Sequence, residues 1–228
     1  MVAFGDPREV APLDVACPAA GRGRWADPRN WIYDFDYNLP AGIACSFTLK
    51  EGLLSAKGNP VKGREQFSFN TGGPAIFHVK PRHGDYTLDE NQVFILGLEA
   101  PATAESIEKN ASCLVDGISE QIPIRLITGD ERKTILEQQD AFLANYYSAL
   151  LKRGGGRAFV SGTEKKGSAR KKFLQLRDGA DSPIVVLQCR RTLPNDTKIR
   201  LLWNKGIMSV SGIPTSSPHT LELSTRPA

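Results

Sequence analysis

The sequence lacks the signatures of most chemistry. It has no G-x-S-x-G, no H-E-x-x-H and no P-loop, which sets aside the nucleophile elbow, the zinc-protease helix and the nucleotide-phosphate cradle. Its four cysteines, Cys17, Cys45, Cys113 and Cys189, never form C-x-x-C, and no histidine stands at ligand spacing, so neither a metal nor a cofactor is expected. No apolar run is long enough to span a bilayer. Met1 to Arg8 carries no h-region or cleavage site, so no signal peptide is read in the chain as given. The net charge of +4 does not by itself imply nucleic acid.

What the sequence does have is a repeat. Leu39-Pro40, Lys50-Glu51-Gly52-Leu53-Leu54-Ser55 and Gly58-Asn59-Pro60 return as Leu193-Pro194, Asn204-Lys205-Gly206-Ile207-Met208-Ser209 and Gly212-Ile213-Pro214. The offset is constant at 154 (193 minus 39, 206 minus 52), and it runs on from Phe67–Thr71 to Leu221–Thr225. Two copies of one structural unit are expected, residues 1–73 and 74–228. The first is expected to lack its opening strands, because nothing before it matches 76–98. The chain is accordingly read as a piece of something longer.

Alternation sets the element type. In Trp31-Ile32-Tyr33-Asp34-Phe35-Asp36-Tyr37 the aromatics share one face and the acids the other, the pattern of a half-buried strand. Further strands are read at 10–17 (interrupted by Pro12), 43–49, 67–69, 75–80, 92–98, 111–115, 184–189 and 199–203, with 122–127 demoted to an edge or bulged strand by Pro123. Short strands between Gly/Pro turns indicate a mainly β fold of two tandem immunoglobulin-like β-sandwiches. The second carries an α-helical insertion at about 129–181. Ala104 to Asn110 reads as a short helix. Within the insertion, Thr128 and Glu131 have capping-box spacing. Ile135, Leu136, Phe142, Leu143, Tyr146, Tyr147, Leu150 and Leu151 form one apolar stripe, expected to dock on the second sandwich. Gly154-Gly155-Gly156 ends the helix, and short strands follow at 157–160 and 173–176.

Candidate reactive groups are scattered. His78 lies on a strand, while His83 and His219 lie in turns, with no paired nucleophile or carboxylate cluster. Asp34 with Asp36, and Asp89 with Glu90, have the proximity of an acid/base or calcium pair; solvated outer-face acids account for both. Lys165-Lys166 and Arg170-Lys171-Lys172 form the one basic cluster, without interleaved aromatics, and read as a solvated loop and not a nucleic-acid site. Two cysteines fall in each copy, which fits one disulfide per unit in an oxidising compartment. Four buried thiols fit equally well.

Several motifs carry a family resemblance. Gly23-Arg24-Trp25-Ala26-Asp27, Trp31-Ile32-Tyr33-Asp34-Phe35, Leu39-Pro40-Ala41-Gly42, Phe67-Ser68-Phe69-Asn70-Thr71-Gly72-Gly73-Pro74, Asp89-Glu90-Asn91-Gln92-Val93-Phe94 and Val115-Asp116-Gly117-Ile118 resemble the N-terminal region of bacterial alpha-2-macroglobulins. The resemblance implies a large periplasmic or cell-envelope protein built from macroglobulin-like sandwiches. It also implies protease trapping through bait-region cleavage and a Cys-Gln thioester, and work beside a peptidoglycan-synthesising penicillin-binding protein. The thioester motif of that family is C-x-E-Q, and none of the four cysteines here begins one. No bait region or lipid-anchor cysteine is identifiable either. The expected role is therefore a non-catalytic scaffold. Proteases would be met through the full-length protein, further macroglobulin-like domains would be neighbours, and membrane attachment would be through a lipid anchor absent from this chain. The alternative is a free-standing immunoglobulin-like binding or adhesion module of the envelope.

Overall fold

The computed structural model describes residues 11–55, 57–152, 177–179 and 181–227. The glycine cap at 154–156, the strands read at 157–160 and 173–176, and the basic cluster at 165–172 lie outside the described residues. The fold is mainly β, with one large near-closed sheet and a few short helices. It divides into two units: Met1–Leu39 with Ile43–Thr71, and Pro40–Gly42 with Gly72–Ala228. No helix among the described residues is long and apolar enough to cross a membrane.

In the first unit, β1 (Leu13–Ala16), β4 (Ala44–Leu49) and β5 (Gln66–Asn70) form an antiparallel sheet in the order β1-β4-β5. β2 (Gly21–Asp27) and β3 (Asn30–Phe35) form a separate hairpin. Its turn is set by Asp27. One carboxylate oxygen accepts the backbone N–H groups of Arg29 at 2.7 Å and Asn30 at 2.9 Å, and the other accepts the Asn30 side chain at 2.6 Å. Hydrogen bonding from Asn30, then Arg29, holds the Asp27 carboxyl below its usual range. Trp31, Tyr33 and Phe35 are half-buried, and Ile32 and Asp34 exposed, as the alternation requires. Gly21 and Gly23 let this face form. A Cβ on Gly21 would stand 2.6 Å from the Tyr33 ring, and one on Gly23 would collide with the Trp31 indole.

The second unit is one seven-stranded sheet. Its strands are β6 (Ile76–Lys80), β7 (Val93–Leu98), β8 (Ala111–Val115), β9 (Ile122–Leu126), β10 (Ile184–Cys189), β11 (Lys198–Trp203) and β12 (His219–Ser224), in the order β12-β11-β8-β9-β10-β7-β6. The loop after β6 brings the two ends together. Leu88 N–H donates to Ser224 O at 3.1 Å, Gly84 N–H to Glu222 O at 2.8 Å, and Ser224 N–H to Asp85 O at 2.8 Å. The enclosed core takes Phe94, Leu96 and Leu98 from β7, Val185 and Leu187 from β10, and Ile199, Leu201 and Trp203 from β11. The buried Trp203 indole donates to Pro74 O at 3.0 Å. Pro123 led one to expect an edge or bulged strand, and β9 is not at an edge. It lies between β8 and β10, but its ladder with β8 runs for only two pairs, Ser112↔Pro123 and Cys113↔Ile122. Proline has no N–H to extend it.

α1 (Ala104–Asn110) links β7 to β8. The inserted helix is two helices, α2 (Gly129–Glu137) and α3 (Asp140–Lys152), parted at Gln138 and Gln139. The capping box does not form. Thr128 makes no side-chain cap, and the Glu131 carboxylate is taken by both guanidinium nitrogens of Arg125 at 2.9 Å. A bidentate charged pair outcompetes a neutral box contact. Arg125 comes from β9, so sequence spacing within the helix could not reveal it. The apolar stripe does dock on its own unit. Leu136, Phe142, Leu143, Tyr146 and Leu150 cover Ile95, Ile184 and Val186 on the outer face of β7 and β10. Leu151 is left 41% exposed.

Tyr146 closes this layer. Its ring lies where a side chain on Gly97 would be, with a Cβ there 2.5 Å from the ring, and its hydroxyl donates to Leu98 O at 2.5 Å. Burial pushes the phenol well above its ordinary pKa.

The repeat holds hydrogen bond by hydrogen bond. β4 pairs β5 in the register of β11 with β12: Ala44↔Asn70 answers Lys198↔Ser224, and Phe47↔Phe67 answers Leu201↔Leu221. Ile43 N–H donates to Thr71 Oγ1 at 2.9 Å, and Thr197 N–H to Thr225 Oγ1 at 2.9 Å. The bridge Leu54↔Pro60 answers Met208↔Pro214. Gly52 and Gly58 have positive φ, as do Gly206 and Gly212, the conformation that keeps glycine at these turns.

Tyr146→Phe removes one donor from a buried carbonyl and is expected to cost about 1–3 kcal/mol. Gly97→Val is expected to cost more, because the ring must move. Urea unfolding of both variants checks this; a neutral Tyr146→Phe contradicts it.

Candidate functional site

The structure bonds Cys17 to Cys45 and Cys113 to Cys189. The two bridges are not equivalent under the repeat. The first joins neighbouring strands at the β1–β4 edge, while the second joins β8 to β10 across β9, where Cys113 faces Ile122 and Cys189 faces Ile124.

The other candidate residues are not brought together. Asp34 pairs with Arg24 at 2.6 Å and Asp89 with Arg226 at 3.1 Å, all four exposed. Such pairs contribute little to stability. Asp36 is exposed and its backbone N–H donates to Ala20 O, while the Glu90 carbonyl accepts Leu193 N–H. His83 Nδ1 accepts the backbone N–H of Glu222 at 3.2 Å, and His219 faces Trp203 in the β11–β12 ladder. Among the described residues no group of three metal-ligating side chains occurs.

His78 alone lies in a concavity. A groove of about 650 Å³ runs between β6, its following loop and the α2–α3 junction, lined by His78, Lys80, Arg82, Gln92, Gln139 and Phe142 among others. The His78 ring stands 5.1 Å from that of Phe142. Burial first, then the Arg82 charge, lowers its pKa and keeps it neutral at pH 7. Lys80 Nζ donates to Gln139 Oε1 at 2.6 Å. Among the described residues no serine or cysteine lines the groove. It can offer amide and cationic hydrogen bonds to a ligand, and it was invisible in the sequence because its walls are sixty residues apart.

The second candidate is the aromatic face of the first unit. Trp31, Tyr33 and Phe35 on β3 meet Phe47 on β4 and Phe69 on β5. Tyr33 to Phe47 is 5.5 Å edge-on, Phe35 to Phe69 is 6.0 Å, and Phe47 stacks on Phe69 at 6.2 Å. The face stays part-exposed: Phe67 is 44% and Phe69 40% exposed. The buried indole N–H of Trp25, on the same face, has no hydrogen-bond partner. The sequence flagged the β3 aromatics as the buried side of a strand and gave no sign that they stay half open.

Compared with known proteins, the chain matches no protein-family model and no curated protein. Among solved structures it is similar to the S-layer protein rSbsC, at 10% identity and a TM-score of 0.34, over 68% of this chain and 14% of that one. The chain thus spans a small part of that protein's length, and a likeness this low carries no argument.

Two outcomes follow from these placements. A histidine whose folded pKa is lowered contributes stability that is complete above its ordinary value of 6.5 and is lost as pH falls below it. The thermal midpoint is expected to drop below pH 6.5, less steeply in His78→Phe; equal slopes contradict it. Protein folded under oxidising conditions is expected to show no titratable thiol until reduced. Reduction is expected to cost up to roughly 4 kcal/mol for the bridge 76 residues apart and less for the one 28 apart. Four free thiols in oxidised material contradict the pairing.

Proposed function

We propose that this chain is a non-catalytic scaffold of tandem immunoglobulin-like, macroglobulin-type sandwiches within a cell-envelope protease trap. The observation that carries the reading is the repeated ladder, one module used twice in one register. The strand order supports the immunoglobulin-like assignment. β6-β7-β10-β9 and β8-β11-β12 have the order of a four-stranded and a three-stranded sheet, A-B-E-D and C-F-G. β1 to β5 then correspond to C through G. The helices α2 and α3 occupy the connection between D and E.

The motifs that carry the resemblance have structural work in this fold. Gly23 makes room for Trp31, Asp27 sets the hairpin turn, and Thr71 clamps Ile43. Asp89 begins the turn before β7, where Gln92 N–H donates to its carbonyl at 3.1 Å. Residues of this kind suit a scaffold. Trapping proteases, contact with a peptidoglycan-synthesising penicillin-binding protein and periplasmic location belong to the proposal through the resemblance, and two intrachain disulfides suit an oxidising compartment.

Reading the surrounding open frame and expressing its longest product tests this. The expected product carries further sandwiches and a C-x-E-Q thioester, and forms a denaturant-resistant adduct with a protease that cuts it. Residues 1–228 alone are expected to form none. A frame holding only these two units overturns the trap and leaves a free-standing binding module.

A further inference from the structure

The second unit shows what the first unit's open face is shaped to receive. β3 and β10 correspond at the repeat offset, Asn30 to Ile184 and Phe35 to Cys189. Their neighbours agree: Asp34↔Arg22 answers Gln188↔Arg125, and Phe35↔Gly21 answers Cys189↔Ile124. β10 is paired on both sides, by β9 and by β7. Among the described residues β3 is paired only by β2.

The missing neighbour leaves a definite set of groups open. Asp36 N–H donates to Ala20 O at 3.1 Å, so the even-numbered residues of β3 direct their N–H groups toward β2. Alternation then points the N–H and C=O groups of Trp31, Tyr33 and Phe35 outward along the free edge. The corresponding positions in β10 face β7, with Leu187 opposite Phe94 and Val185 opposite Leu96. The side chains tell the same story. Phe67 and Phe69 are 44% and 40% exposed, while their counterparts Leu221 and Leu223 are 2% and 3% exposed. Those two lie in the core that Phe94, Leu96, Leu98 and Leu88 complete.

We infer that the first unit is a strand-acceptor site. An extended segment of another polypeptide adds antiparallel to β3, with apolar residues at the alternate positions opposite Trp31 and Tyr33, where Leu96 and Phe94 stand opposite Val185 and Leu187. Backbone bonding supplies affinity and the alternate side chains supply selectivity, the mode of β-strand addition. A second copy of this chain fits less well. Its β6–β7 segment is committed to its own core, and pairing of β3 with β3 is what the self-association measurement reads. The inference rests on the unpaired edge of β3 and not on the protease-trap reading.

The probe is a synthetic peptide with the sequence of residues 75–99, carrying lysines at each end for solubility, added to the full 228-residue chain. Saturable one-to-one binding is expected, with the amides of Trp31, Tyr33 and Phe35 exchanging at least about tenfold more slowly. Those of Ile32 and Asp34, already bonded to β2, are expected to change little. Serine at the peptide positions of Phe94 and Leu96 is expected to weaken binding at least about tenfold. Serine at those of Val93 and Ile95 is expected to leave it within about threefold. These substitutions are in the peptide, so folding of the chain is not in question. Equal sensitivity to both sets overturns the proposal, as does absence of binding. Self-association of the chain that protects the same three amides also overturns it, in favour of a dimer. So does a longer form of the polypeptide that refuses the peptide, because the edge is then filled within one chain.

Discussion

The β7–β10 ladder is the constraint on which the second unit depends. Both strands are apolar on both faces, so each face needs a separate cover. Phe94, Leu96, Val185 and Leu187 turn inward and are met by β11 and β12. Ile95, Ile184 and Val186 turn outward and would sit in water without α2 and α3. The helices are therefore a requirement of the strand sequence, and Gly97 is where that requirement is most exacting. An absent side chain in mid-strand lets a tyrosine lie flat and bond the next carbonyl. Glycine weakens a strand by itself, and Tyr146 fills the space it leaves.

The first unit shows the same module without that ladder. At the positions of Ile184, Val186 and Gln188 it has Asn30, Ile32 and Asp34, and it has no outward helix layer among the described residues. At the inward positions it has Trp31, Tyr33 and Phe35 in place of Val185, Leu187 and Cys189. The larger rings need lateral room, and Gly21 and Gly23 supply it, where β9 has Ile124 and Leu126. The changes on β2 and β3 are coupled. Bulk sits on β3 where β9 carries it in the second unit, and the outer face has Asn30 and Asp34 around Ile32, with no helix packed on it among the described residues.

The repeat, most of the strands and the docking of the helix stripe could be read from the sequence because each rests on local chemistry: glycine at positive φ, period-two alternation, period-3.6 apolarity. β2, with Gly21 and Gly23 in it, was not read as a strand. The helix break, the failed capping box and the groove could not, since Arg125 and Lys80 reach the inserted helices from strands distant in sequence. The spacing of Pro123 was read correctly as an obstacle to pairing, but it was placed at the wrong level. The strand stays inside the sheet and the ladder shortens instead. Of the two candidate surfaces, His78 was legible as a residue and not as part of a cavity. The aromatic face was legible as a face and not as an open one, because exposure depends on a neighbour that no pattern within β3 specifies.

The two disulfides bear on how the small unit stands at all. Pro12, Ala19 and Cys45 are the only buried residues among those described in it. A core of that size loses more in chain entropy than it recovers by apolar burial. In the second unit the Cys113–Cys189 bridge adds to a core already closed around Trp203 and Leu201. In the first, Cys17–Cys45 ties the β1–β4 edge of an open sheet, and Cys45 is itself only 3% exposed. The bridge therefore stands in for packing. Its stabilisation acts through the unfolded chain and does not cover the face. With the sulfurs joined, Phe47 and Phe69 stack and Phe69 is still 40% exposed. A strand added to β3 would cover that surface, so oxidation and the proposed strand addition would stabilise this unit by separate routes.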